Sequence, residues 1–166
     1  DLMEGVFQEV LSAAGVEHEF PLQRMPWKEA MDRFGCDRPD VRFGMELVDL
    51  TDLVKDCGFK VFTGAADNGG VVKCINAKGA GTWSRGEIEK LGDIAAANGA
   101  KGMAWIAYTE TDTELKGKSP IIKFLGDEVY DAIKKAAGVE PGDLLLFAAD
   151  TFDTASAVLS ALRLHM

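Results

Sequence analysis

A chain of 166 residues, 47% hydrophobic and 27% charged, has the composition of a globular protein long enough for one domain with a real core, or for a compact domain with peripheral elements. No apolar run approaches the roughly 20 residues that span a bilayer, and no basic stretch followed by an apolar one marks a secretory signal. Cys36, Cys57 and Cys74 form no CxxC pair, which argues against a disulfide framework or zinc ribbon, and a net charge of −9 argues against RNA binding by the chain unaided.

The first expected helix carries Met3, Val6, Phe7, Val10, Leu11 and Ala14 on one face and stops at Gly15. A second puts Trp27, Ala30, Met31 and Phe34 on one face; Gly35 supplies its left-handed stop, and Pro39 biases Arg38 towards an extended conformation. Residues 1–57 thus read as helical, and a boundary is expected near Cys57–Gly58. Beyond it, Phe59–Phe62 and Val71–Ile75 read as two strands joined through Asn68–Gly69 as a hairpin. Ser84 and Glu87 form a capping box for a helix with Ile88, Leu91 and Ala95 inward, ended by Asn98–Gly99. Met103–Tyr108 is the third strand and Thr109–Lys118 a polar loop. Ser119–Pro120 opens a short helix, and Asp127 caps another bearing Val129, Ala132, Ile133 and Ala136. The continuous apolar run Leu144–Ala148 suits a central strand, and Thr154 caps a last helix with Ala155, Val158, Leu159 and Leu162 inward. The expected fold is α+β: a mostly antiparallel four-stranded sheet with helices on one face, ββαββα-like with a helical insertion, preceded by a helical segment.

Asp37, Arg38, Asp40 and Arg42 share a loop that Gly35, Pro39 and Gly44 keep from being helical, so charges of both signs are displayed by a stiff backbone. Taken alone, such a loop is a solvated, salt-bridged turn. Residues 1–60 carry a net −6 and residues 61–166 a net −3, so any RNA-facing surface needs a local basic cluster. Lys73, Lys78, Arg85 and Lys101 fall near strand ends and are the candidates, with Trp83 beside Arg85 able to stack on a base. The ordinary alternative is scatter over a solvated surface. Gly79-x-Gly81 lacks the spacing of a phosphate loop, and His18 and His165 each lack a companion, so no catalytic residue and no metal ligand is assigned.

Met25–Met31, the loop Arg33–Gly44 and Met45–Val54 together resemble bacterial-type aspartyl-tRNA synthetase. The likeness continues in order through Gly70–Lys73, Gly99–Ile106, Lys118–Leu125, Pro141–Phe147 and Ala161–Leu164, blocks similar to the GAD domain inserted between the second and third class II motifs of such enzymes. This resemblance implies residues 1–57 as a helical part of the class II catalytic core and residues 58–166 as the GAD insertion. It implies that the ATP-gripping arginines lie upstream of Asp1 and downstream of Met166, so the segment is an inactive internal piece with no cofactor of its own. It also implies a cytoplasmic, homodimeric parent that uses ATP, Mg²⁺ and tRNA, does not enter a membrane, and has the rest of its own chain as the segment's partner. Asp37, Arg38, Asp40 and Arg42 would then lie beside the active-site core, with Arg38 standing where the family usually has Lys, which changes hydrogen-bond geometry while keeping the charge. Lys73, Lys78, Trp83, Arg85 and Lys101 would be the residues open to the tRNA acceptor arm. Two rivals remain: the GAD domain of a tRNA-dependent amidotransferase subunit, and a protein-interaction module without RNA contact.

Overall fold

The computed structural model describes residues 2–109 and 115–166, so Asp1 and residues 110–114 of the expected polar loop lie outside the described residues. In chain order the elements are α1 (Leu2–Ala13), α2 (Trp27–Phe34), β1 (Val48–Asp49), α3 (Thr51–Val54), α4 (Lys60–Asp67), β2 (Val71–Ala77), α5 (Arg85–Ala97), β3 (Ala104–Ala107), α6 (Asp127–Ala136), β4 (Leu144–Asp150) and α7 (Phe152–His165). The strands form one sheet in the order β1-β2-β4-β3, each neighbouring pair antiparallel. The fold is therefore α+β with a four-stranded antiparallel sheet, and β4 is central as its apolar run implies.

Two details depart from expectation. Phe59–Phe62 is not a strand: Phe59 and Phe62 stand three apart on one helical face, their rings edge to face at 4.8 Å, and α4 runs from Lys60. The Asn68–Gly69 pair ends that helix instead of turning a hairpin. Gly69 adopts φ +72°, its N–H donates to Ala66 O at 3.0 Å, and Gly70 N–H donates to Ala65 O at 2.8 Å, the pairing of a Schellman stop. The fourth strand is β1, whose Val48 and Asp49 pair with Cys74 and Lys73 of β2.

The second departure is that helices cover both faces. Ile75, Leu144, Leu146 and Ala148 pack with Ile88 and Leu91 of α5 and Val158 and Leu159 of α7 on one side. Val72, Cys74, Leu145 and Phe147 pack with Leu50, Val54, Phe62 and Ile133 on the other. A strand apolar at every position needs a layer on each side, which is what Leu144–Ala148 receives. Leu50, Val54 and Cys57 are buried in this second layer, so residues before the expected boundary belong to the sheet's packing.

The helix ends are largely set by local chemistry. The Ser84–Glu87 capping box forms, whereas α7 is capped by Thr151, whose hydroxyl accepts from Thr154 N–H at 3.3 Å, and α6 begins after Gly126 with Asp127 in its first turn. The stretch after Ser119–Pro120 forms only a 3-10 turn at Ile122–Phe124. Gly81 is set by close approach: a Cβ there would lie 2.1 Å from Tyr108 O and 2.6 Å from Asp143 O. Gly81→Ala is therefore expected to force the main chain apart and to cost about 1–3 kcal/mol, read as a lowered urea midpoint at unchanged m-value. Among the described residues no helix is long and apolar enough to cross a membrane.

Candidate functional site

Helix α2 ends at Gly35, φ +73°, whose Cα packs so closely on α7 that a Cβ would lie 2.4 Å from Ser156 O. The chain then loops out through Asp37, Arg38, Asp40 and Arg42 and returns at Leu47, whose N–H donates to Arg33 O at 2.7 Å. Arg33 holds the two sides together by pairing with Glu29 and Glu46 at 2.6 Å each. Within the loop, Arg42 Nε donates to both Asp40 carboxylate oxygens at 3.0 and 3.1 Å, and Arg42 N–H donates to Asp40 Oδ1 at 3.0 Å. Arg38 is looser, 3.8 Å from Asp37 with its side chain 94% exposed.

These donors hold the Asp40 carboxyl down at about 2, against an ordinary 3.8, with Arg42's side-chain hydrogen bonds the main cause. A depressed carboxyl stabilises the fold above its unfolded value, and that contribution fades as pH falls from there towards about 2. In Arg42→Ala the Asp40 carboxyl should titrate closer to its ordinary value while staying below it, because the backbone N–H of residue 42 still donates to it; NMR of the carboxyl carbon reads the shift.

The loop encloses a group that sequence reasoning did not assign to the site. Arg163, in the last turn of α7, is 1% exposed. Its Nε donates to Met45 O at 3.1 Å, and one Nη donates to Asp40 O, Phe43 O and Gly44 O at 2.6, 3.1 and 3.2 Å. Its guanidinium carbon lies 4.9 Å from the Phe34 ring centre and 4.2 Å from that of Phe43. Burial pushes the Arg163 pKa down, with nearby Cys36, Asp40 and Glu46 acting against the shift. The sequence signal was only a cationic residue in a helix's last turn, the position where helices commonly carry one.

The candidate RNA-facing residues do not converge. Lys73 is buried, 2% exposed, under the Phe152 ring at 4.4 Å and 3.8 Å from Asp32, and burial pushes its pKa down. It points into the layer between α2 and α7, so its expected place on a basic rim is not where the fold puts it. Lys78 lies at one end of β2, bonded to Glu140 and Asp143 at 2.9 Å each. Lys101 bridges to Asp150 at 3.6 Å at the other end, the two ends being about 20 Å apart by the rise of a strand. Arg85 pairs with Glu89 at 2.8 Å, and Trp83 packs partly buried against the α5–α7 layer. Lys78, Arg85 and Lys101 thus each face a carboxylate.

Lys101 also lines a cleft of about 710 Å³ with Phe59, Val61, Met103 and Ala149, and none of the four charged loop residues lines it. Among the described residues no group of three or more His, Cys, Asp or Glu side chains could hold a metal ion.

The GAD domain family model matches residues 62–159, which spans α4 through most of α7. The chain belongs to the GAD domain family. This GAD chain is 49% identical over 165 residues to the aspartate–tRNA ligase of Agathobacter rectalis, covering 99% of the chain and 27% of that relative. It is 50% identical over 167 residues to the aspartate–tRNA(Asp/Asn) ligase of Moorella thermoacetica, covering 100% and 26%, and 46% identical over 170 residues to that of Syntrophotalea carbinolica, covering 100% and 28%. The chain spans about a quarter of the length of the curated relatives it matches.

Proposed function

We propose that this chain is an accessory part of an aspartate–tRNA ligase, with the GAD domain mounted beside the catalytic core at the mouth of its active site. The observation that supports this reading is identity of 46–50% running across the whole chain, including the helical stretch before the GAD match, with proteins named aspartate–tRNA ligase. A tRNA-dependent amidotransferase accounts for the GAD match but not for that upstream likeness.

In this reading the whole enzyme is a cytoplasmic homodimer that activates aspartate with ATP and Mg²⁺ and passes the aspartyl group to tRNA. The groups that grip ATP and metal lie in parts of the enzyme other than this chain. The segment's own work is structural: it presents the Asp37–Arg42 loop from a rigid support. The acceptor arm of tRNA is gripped mainly elsewhere, because Lys78, Arg85 and Lys101 are spread apart and each is partly neutralised by a carboxylate.

Changing Lys78, Arg85 and Lys101 together to Gln in the intact enzyme should therefore move the KM for tRNA by less than about twofold at physiological salt, since few phosphate contacts are at stake. A tenfold rise in that KM, steeper at low salt, would instead assign the GAD surface a direct part in holding tRNA.

A further inference from the structure

We infer that Arg163 is a positioning residue, a latch through which α7 of the GAD domain fixes the loop carrying Asp37, Arg38, Asp40 and Arg42. The latch stands on geometry alone; what the loop serves rests on the ligase reading above.

A buried guanidinium usually finds a carboxylate, because an unpaired charge in the interior is costly. Arg163 instead spends its described hydrogen bonds on main-chain oxygens of one short stretch, those of Asp40, Phe43, Gly44 and Met45. Backbone carbonyls carry no sequence identity, so the interaction reads the path of the chain and not its side chains. The planar fork of donors is suited to this, since several oxygens can be met at once only when the loop is bent around the group. Met45, at the end of the stretch, adopts φ +68°, a left-handed conformation uncommon for a residue with a side chain, and its carbonyl is one of those Arg163 holds.

The rings of Phe34 and Phe43 lie over the guanidinium, one from the end of α2 and one from the loop. Closing the loop therefore buries the charge, and burying the charge requires the loop's oxygens. Between Asp37 and Gly44, the described hydrogen bonds that leave the loop all go to Arg163; the others, such as those from Arg42 to Asp40, are internal. Arg38 and Arg42 meanwhile project their side chains outward, 94% and 88% exposed. Their place relative to the rest of the enzyme is set by a residue about 120 positions away on the GAD domain's last helix. A shift of α7 moves the loop, and the GAD domain thereby acts on aspartate activation without touching substrate.

The test uses Arg163→Met, Arg163→Lys and Phe43→Leu, each in this chain and in the intact enzyme. Arg42–Phe43 is a tryptic site in the stretch whose carbonyls Arg163 holds, so opening the loop speeds that cut, whereas Lys90–Leu91 within α5 is cut faster when the sheet domain opens, and mass spectrometry follows both. Arg163→Met should speed the first cut at least about tenfold, the scale of lost charged hydrogen bonds, and leave the second within about twofold. Arg163→Lys, a point charge that meets fewer oxygens, should fall between, and Phe43→Leu should move the first cut in the same direction.

In the intact enzyme, Arg163→Met should lower kcat for aspartate-dependent ATP–pyrophosphate exchange about tenfold, the KM for tRNA staying within twofold and Arg163→Lys recovering part of the loss. Equal acceleration of both cuts by Arg163→Met and by Phe43→Leu would make Arg163 a general stabiliser and overturn the latch, as would an unchanged first cut. An unlatched loop with unchanged exchange would overturn its link to activation. If the unaltered intact enzyme shows no aspartate-dependent exchange, the ligase reading fails by itself, while the tryptic comparison still decides the latch.

Discussion

A chain beginning at residue 58 is expected to lose its cooperative unfolding transition, whereas one beginning at residue 26 should keep the midpoint of the full chain. The shorter chain discards β1 and with it the pairing partner of Cys74 and Lys73, leaving β2 as a bare sheet edge. It also discards Phe34, Leu50 and Val54, exposed by 3%, 0% and 0%, and uncovers the layer that Leu50 and Val54 fill and the Arg163 guanidinium that the Phe34 ring covers. Burying three such side chains is worth about 5–9 kcal/mol, most of the roughly 5–15 kcal/mol by which a domain is stable. Removing residues 1–25 discards α1, which has no buried residue, and Glu4, whose hydrogen bonds to Leu22 and Arg24 are lost with it. Circular dichroism with urea separates the outcomes. We accordingly propose that the cooperative unit begins near Pro26, upstream of the boundary expected at residue 58, although the GAD family match begins only at residue 62. Equal midpoints for the two truncations would return the boundary to residue 58.

Phe147→Ala should cost about 3–5 kcal/mol, the loss expected when a buried aromatic ring leaves a cavity. Its ring is 1% exposed, lies on the central strand, and meets the Phe62 ring at 5.6 Å, so the void would open between β4 and α4. Lys73→Met is the contrast. It removes a buried ammonium and replaces it with an apolar side chain of similar length under Phe152, and should leave stability within about 1 kcal/mol or raise it. If Lys73→Met instead costs as much as Phe147→Ala, the pairing with Asp32 stabilises the fold far more than a lone buried pair should.

Much of the fold was legible because its signals are local. The Ser84–Glu87 box, the Gly35 stop and the apolar run of β4 each act within a few residues, and each appears as read. The same dipeptide reads in two ways in the sequence, Asn98–Gly99 as a helix stop and Asn68–Gly69 as a hairpin turn. The structure uses both as Schellman stops, with Ala100 N–H donating to Ala95 O at 3.0 Å as Gly70 does to Ala65 at 2.8 Å. Asn-Gly supplies a left-handed position to either device, and what decides is whether the preceding apolar residues stand two or three apart. Phe59 and Phe62 stand three apart. The layer on the second face was implied by Leu144–Ala148 itself, since no strand apolar on both sides can leave one bare.

The loop was visible because glycine and proline punctuate it, and its family likeness singled it out. What holds it was not visible. Arg163 binds main-chain oxygens about 120 residues away, and no spacing rule reaches that far. Lys73 was misplaced for a related reason: in β2 it sits among residues that alternate between two covered faces, where even an odd lysine is buried.

Aspartate-dependent ATP–pyrophosphate exchange, measured side by side on this chain and on the intact protein that contains it, decides whether the chain is an accessory part of an aspartate–tRNA ligase. Exchange is expected from the intact protein and none from the chain alone, because in the proposed function the activating centre lies outside this chain. Exchange by the isolated chain, or an intact protein that activates no aspartate, would contradict it.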